Sequence, residues 1–177
     1  LAEHGEELAQ AAARAGRVLA YEAAVAGGIP VIKALREGLV ANRIHALAGV
    51  LNGTSNYILT RMQEHGLGFA AALTEAQALG YAEADPAFDV DGTDAAHKLA
   101  LLAANAFGIP LRLDAVHVQG LRGLQPGDLA AAAQLGYAIK LLAIARRGAQ
   151  GVELRVHPAL VPARHALALL DGVSNGL

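Results

Sequence analysis

Helical and strand-forming patterns occupy different parts of this chain, and that segregation restricts the folds open to it. Through Phe107 the apolar residues mostly recur at helical spacing. This predicts helices over Leu1–Ala15, from Pro30 to about Val40, from Thr54 as cap to about His65, over Phe69–Leu79 and over Asp94–Phe107. Pro30 starts its helix where a missing N–H is harmless, and Gly108 and Pro110 stop the last one. Two short runs in this half, Arg17–Ala20 and Arg43–Leu51, read as strands, the second leading into an Asn52-Gly53 turn. Beyond Phe107, Ala115–Leu121, Tyr137–Arg147, Val152–His157 and Leu167–Val173 are strand candidates, with one helix at Asp128–Gln134 behind Pro126-Gly127. Helices first and strands later predict an α+β fold with a mixed or largely antiparallel sheet and helices packed on one face, in one domain over residues 1–177.

The residues are 54% hydrophobic and 17% charged, enough apolar material for one sizeable core. Fourteen basic and sixteen acidic side chains give a net charge of −2, which leaves no basic face for nucleic acid or an anionic membrane. No apolar run is long enough to span a bilayer, so neither a membrane helix nor a signal peptide is expected. The absence of cysteine excludes disulfides, thiolate chemistry and zinc held by sulfur, and suits a cytoplasmic protein. The partner expected is a small molecule or another protein. Leu1 is not a methionine and the first helix has no cap before it, so the sequence reads as part of a longer one.

The densest chemistry lies in Gly80–Lys98, GYAEADPAFDVDGTDAAHK, where Glu83, Asp85, Asp89, Asp91 and Asp94 crowd together with no Lys or Arg between them. Such crowding is unfavourable without a positive partner. An EF-hand reading fails, because with Gly92 at its sixth position Ala87 would be first and Lys98 twelfth. The plain alternative is a solvated loop that caps the next helix through Asp91 or Thr93. Lys98, one of three lysines, follows Asp94 by four residues on a very apolar helix, and Asn105 returns to that face. The pair is either a structural ion pair or a proton-transfer unit beside a cleft. His97 adjoins it, with a packed or solvated role the simpler reading.

Two further stretches combine glycine with a helix start. In YEAAVAGGIP, Glu22 and the Gly27-Gly28 pair form either a tight turn or a cation site of irregular carbonyls. In GVLNGTSNY, the first N–H groups of a helix can receive an anion, although the Gly-Lys-[Ser/Thr] end of a P-loop is missing. Gly66-Leu-Gly68-Phe-Ala-Ala71 matches the dinucleotide fingerprint by letter only, since a helix and not a strand precedes it; it reads as an interhelix turn.

Taken in order, YEAAVAGGIP, GVLNGTSNYIL and LGYAEADPAFDVDGTDAAHKLALLA make Tyr21–Gly108 resemble the substrate-binding and catalytic domain of homoserine dehydrogenase. VHPALVP and ALALLDGVSNGL resemble it more loosely. The resemblance implies NAD(P)-dependent interconversion of aspartate 4-semialdehyde and homoserine, on the route to threonine, methionine and isoleucine. It implies that Lys98 transfers a proton at the reacting oxygen with support from Asp94. Glu83 and Asp89 would hold the substrate ammonium, Tyr81 and Thr54 would line the pocket, and Gly53 and Thr54 would meet the cofactor. Glu22, Val25, Gly27 and Ile29 would bind sodium or another monovalent cation, largely through main-chain oxygens.

The family's Rossmann domain and a second active-site lysine would precede Leu1, and its return segment would follow Leu177, so the chain by itself is expected to be inactive. Its apolar strand at Tyr137–Ala145 asks for a cover, which predicts a homodimer formed through the sheet. The rival expectation is a stand-alone amino-acid-binding or dimerisation module without catalysis.

Overall fold

A computed structural model describes all 177 residues. The helices are α1 (Gly5–Arg14), α2 (Val31–Lys33), α3 (Gly53–His65), α4 (Phe69–Ala78), α5 (Ala87–Val90), α6 (Thr93–Phe107) and α7 (Pro126–Gln134), and the strands are β1 (Ala46–Gly49), β2 (His117–Val118), β3 (Tyr137–Gly148) and β4 (Gly151–Pro162). They build one four-stranded mixed sheet in the order β1-β3-β4-β2, antiparallel except for the short β2–β4 pair. The architecture is α+β, as the order of patterns predicts.

Strand periodicity sorts the central hairpin into two faces. Ile139, Leu141, Ala143 and Ala145 of β3, with Leu154 and Val156 of β4, join the main core together with Ile58 and Leu59 of α3 and Leu99, Leu102 and Ala103 of α6. Burying each leucine contributes roughly 1.5–3 kcal/mol. On the opposite face Ala138, Leu142 and Val161 form a second cluster with Val50 and Ala168. The helices therefore lie on one face, and the C-terminal segment covers the other. β3 is one of the two inner strands of the sheet, and its residues from Ala138 to Leu142 are all buried within the chain. The apolar character that asked for a twin is satisfied internally.

Several expected elements differ, each for a local reason. Arg17–Ala20 forms no strand: Arg17 N–H closes the end of α1 on the Ala12 carbonyl, and Val18 is 90% exposed. Ala115–Leu121 contributes only the two residues of β2. Leu167–Val173 is not a strand either. Ala166–Leu169 is a 3-10 turn, and the carbonyls of Leu170 and Gly172 accept from the Asn56 side chain rather than from a neighbouring strand. This segment returns to the sheet through a single antiparallel bridge, Val50 with Gly176. The helix from Pro30 is short and widens into a π turn at Ala34–Gly38. The cap of α3 is Asn52, whose side chain accepts from Ser55 N–H at 2.8 Å, and not Thr54. Gly66 and Gly68 bound the turn between α3 and α4, as expected of the false fingerprint.

Close approach of backbones fixes the corner between α5 and α6. A Cβ on Gly120 would lie 2.5 Å from the Val90 carbonyl oxygen and 2.6 Å from Asp91 Cα, and Leu121 N–H donates to that same carbonyl at 2.8 Å. Gly92 starts α6 at φ 86, a conformation that suits glycine, with Val118 and Val156 packed where a Cβ would stand.

Candidate active site

Three pieces of chain converge at the start of α3: the residues leaving β1, the acidic loop, and the first two turns of α6. Lys98 Nζ donates to Asp94 Oδ2 at 2.6 Å and to the Leu51 carbonyl at 2.8 Å, with the side chains of Lys98 and Asp94 23% and 18% exposed. An ammonium carries three N–H donors, so one remains for a ligand. The i, i+4 spacing on a helix otherwise packed into the core holds both groups at its rim.

The five crowded carboxylates divide into separate roles. Asp91 forms a two-bond pair with Arg122 from the segment after β2, so Asp91 does not cap α6, and that helix has no side-chain cap at all. The carboxylate raises the Arg122 pKa through their hydrogen bond. Asp85 accepts from Ala87 N–H in a local turn. Asp94 holds Lys98. Asp89 accepts from Asn52 Nδ2 at 2.7 Å, and its backbone carbonyl accepts from Ser55 Oγ at 3.0 Å. Neither Asp89 nor Glu83 has a cationic partner in the chain, although Lys98 and Arg122 neutralise their neighbours.

The remaining wall hangs on α3 and α4. Thr54 Oγ1 donates to the Tyr81 carbonyl at 2.7 Å, and the Tyr81 ring leans on Tyr57 with centroids 4.9 Å apart. Tyr57 in turn donates to Glu75 at 2.8 Å. Burial, then the Glu75 hydrogen bond, pushes the Tyr57 phenol above its usual value, while bonds from Tyr57 and Arg61 hold the Glu75 carboxyl below its own. Gln77 Nε2 donates to the Glu83 carbonyl at 3.0 Å, fixing the backbone that carries this acid. Within the first turn of α3, Ser55 and Asn56 N–H are taken by Asn52. The N–H groups of Gly53 and Thr54 have no acceptor in the chain. Gly53 also needs its missing side chain, because a Cβ there would lie 2.8 Å from the Val173 carbonyl.

Hydrogen bonds thus join Lys98, Asp94 and Asp89 through Asn52, and separately Thr54 and Tyr81, the two sets meeting along the chain at the start of α3, with Gly53 and Glu83 on the same short segments. The cation candidates are not part of it. Both oxygens of Glu22 accept backbone N–H, from Ile32 at 2.7 Å and Lys33 at 2.8 Å, so this carboxylate caps α2. The Glu22 and Ile29 carbonyls accept from Val25 and Val31 N–H. Between them Ala26 holds a φ of 47, a left-handed conformation that costs an alanine on the order of 1 kcal/mol. Val25 is completely buried, and Gly27 lies beside Ala26 in the turn. No cluster of acidic or histidine side chains suited to a metal ion is formed.

Asn105 lies on the face of α6 that carries Lys98, as its spacing predicts, and its amide donates to Tyr21 Oη at 2.9 Å and accepts from Arg36 at 2.6 Å. His97 packs edge-on against Phe88, the packed role expected of it. The sequence reading missed Asn52, Ser55, Gln77 and Arg122. Of these only Asn52 carried a local signal, an Asn three residues before a helical Ser N–H, which matches a cap.

The sequence model of homoserine dehydrogenase matches residues 30–177. Homoserine dehydrogenases of Neisseria gonorrhoeae and Pseudomonas aeruginosa are 53% and 56% identical over 177 residues, which is all of this chain and 41% of each relative. The crystal structure of a homoserine dehydrogenase from Thiobacillus denitrificans superposes with a TM-score of 0.97 at 56% identity, covering 98% of this chain and 40% of that one. A hyperthermophilic archaeal homoserine dehydrogenase in complex with NADPH gives 0.82 at 29% identity, covering 98% of this chain and 49% of that one. The chain spans about two fifths of the curated relatives it matches. With the family's model matching residues 30–177 of this chain and the fold of a family member reproduced, the chain belongs to the homoserine dehydrogenase family.

Proposed function

We propose that this chain is the substrate-binding and catalytic segment of a cytoplasmic enzyme that interconverts aspartate 4-semialdehyde and homoserine with NAD(P)H and NAD(P)+. The observation that carries this reading is the pair of carboxylates, Asp89 and Glu83, with no cationic partner on the loop beside the Lys98–Asp94 pair. An amino-acid substrate brings the ammonium that such carboxylates accept. Anchoring it there sets its aldehyde toward the remaining N–H of Lys98.

The nicotinamide cofactor, when bound, supplies or takes the hydride. In the reducing direction a C–H bond forms at the aldehyde carbon and the carbonyl pair moves onto oxygen. Lys98 stabilises that growing charge and gives the oxygen its proton, becoming a neutral amine that Asp94 and the Leu51 carbonyl keep in place. Gly53 and Thr54, with unclaimed N–H groups at the positive end of α3, are the residues of this chain that would meet the cofactor.

The Glu22–Ile29 loop is read as a main-chain site for sodium or a similar monovalent cation. It would use the Val25 and Gly27 carbonyls with those of Glu22 and Ile29, and not the Glu22 carboxylate. The left-handed Ala26 supports an unusual task for this turn. The longer protein is read as a homodimer. Exposed Leu135, Leu160 and Leu169, 72%, 57% and 66% accessible, offer apolar surface near the end of the hairpin. Sedimentation of that protein as a monomer at micromolar concentration would count against the dimer.

The test of the reaction is a chimera in which this chain replaces the matching segment of the Pseudomonas aeruginosa enzyme. It should oxidise NADPH when given aspartate 4-semialdehyde. Lys98→Ala should lower turnover by about 10²-fold with the fold retained, while Glu83→Gln should raise KM more than it lowers kcat. An inactive chimera, or a Lys98→Ala chimera with ordinary turnover, refutes the reading.

A further inference from the structure

Asn52 sits at 5% exposure where β1 has ended and α3 begins, and all of its amide is used. Its Oδ1 accepts from Ser55 N–H at 2.8 Å. Its Nδ2 donates to Asp89 Oδ1 at 2.7 Å and to Asp94 Oδ2 at 2.8 Å. Only one orientation of the amide satisfies these partners, since a backbone N–H needs the oxygen and two carboxylates need the nitrogen.

The two carboxylates that share this nitrogen have different tasks in the reaction read above. Asp94 holds the proton donor, and Asp89 anchors the substrate. They lie within one amide group of each other, and the nearby cations are already committed, Lys98 to Asp94 and Arg122 to Asp91. Two adjacent carboxylates repel unless donors hold them. The neighbouring residue on the other side, Leu51, supplies the carbonyl that holds Lys98, and Ser55 on the first turn of α3 holds the Asp89 carbonyl. The start of α3 therefore reaches the proton donor, its acid and the substrate anchor together.

We infer that Asn52 is a positioning residue that sets the spacing between the substrate-anchoring Asp89 and the Asp94–Lys98 pair, in addition to capping α3. This rests on the proposed reaction for its consequence but not for its geometry, and the two are separable by experiment. Asp and Ser both cap helices, so Asn52→Asp and Asn52→Ser keep the Ser55 bond while removing the N–H2 group. Asp also brings a third carboxylate against the two. In the active chimera, loss of bonds to charged groups at both ends should raise KM for aspartate 4-semialdehyde about 10-fold and lower kcat about 10-fold for Asn52→Ser, and more for Asn52→Asp. A residue that only caps α3 would leave both constants near those of the parent in the Ser variant, and that result overturns the inference.

A second measurement needs no activity. In the 177-residue chain the two Asn52 side-chain amide protons should give separate, downfield, slowly exchanging resonances. One should move on Asp89→Asn and the other on Asp94→Asn. Resonances like those of a solvent-exposed asparagine, unmoved by either change, refute the geometry even if the chimera is active; the expected pattern in a chain whose chimera is inactive refutes the reaction and leaves the geometry standing.

Discussion

Replacing Gly120 by alanine tests how the acidic loop is held. Gly120 does not need a left-handed backbone, as its φ is not positive, so the cost comes from space alone. The added carbon would stand 2.5 Å from the Val90 carbonyl oxygen, 2.6 Å from Asp91 Cα and 3.0 Å from the Asp91 carbonyl carbon. All three are backbone atoms, which no rotamer change can move. Overpacking of this kind costs about 1–3 kcal/mol, and the Leu121 N–H to Val90 bond at 2.8 Å must lengthen, adding about 1 kcal/mol. A total of about 2–4 kcal/mol in a domain of this size lowers the melting temperature by roughly 5–15 °C. The control is three residues away: a Cβ on Gly123 meets nothing within 4 Å, so Gly123→Ala should be neutral or stabilise by up to about 1 kcal/mol. Thermal unfolding followed by circular dichroism compares the two. If Gly120→Ala melts within 2 °C of Gly123→Ala, the loop is not held by this close approach and the corner carrying Asp89 and Asp94 is looser than described.

Glu22→Gln should destabilise by about 1–2 kcal/mol in urea titration, because an amide cannot accept from both Ile32 and Lys33 N–H. The loss should be equal in sodium and in tetramethylammonium chloride, since the carboxylate caps α2; a loss confined to sodium would make it a cation ligand instead. Lys140, 3% exposed, has its pKa lowered first by burial, with Asp171 opposing. The unfolded chain therefore binds the extra proton as pH rises toward about 10.4, and stability should climb through the alkaline range below that value. Lys140→Met should remove the climb. Tyr57 acts with the opposite sign and higher up, because its raised pKa makes the unfolded phenol ionise first, so stability falls above about pH 10.

What the sequence carried of the fold follows from which interactions are local. Helical spacing and the Gly108 stop gave α6 to within a residue, and the strand patterns gave β3 to within a residue and the first half of β4, because these elements declare themselves by which face they bury. The misassigned strands are equally apolar but owe their shape to distant partners. Leu167–Val173 alternates well enough to pair, yet Asn56 and buried Lys140, which lie far away in the sequence, take the Leu170 carbonyl, and Asn56 takes that of Gly172 as well. No window of neighbouring residues contains that competition.

The site divides along the same line. Lys98 and Asp94 could be paired from their spacing, and the acidic crowd called for a positive ligand. Which acids remain open to that ligand could not be read locally, because Arg122, 31 residues beyond Asp91, decides it. Asn52 was hidden by a more familiar meaning: before glycine it signals a turn, and turn and cap both ask for a short polar side chain that bonds nearby backbone. The distinction lies in the side chain's other end. A turn asparagine turns its N–H2 to solvent, whereas this one is buried and must find acceptors, and the acceptors it finds lie 37 and 42 residues away on the loop and helix that carry the chemistry.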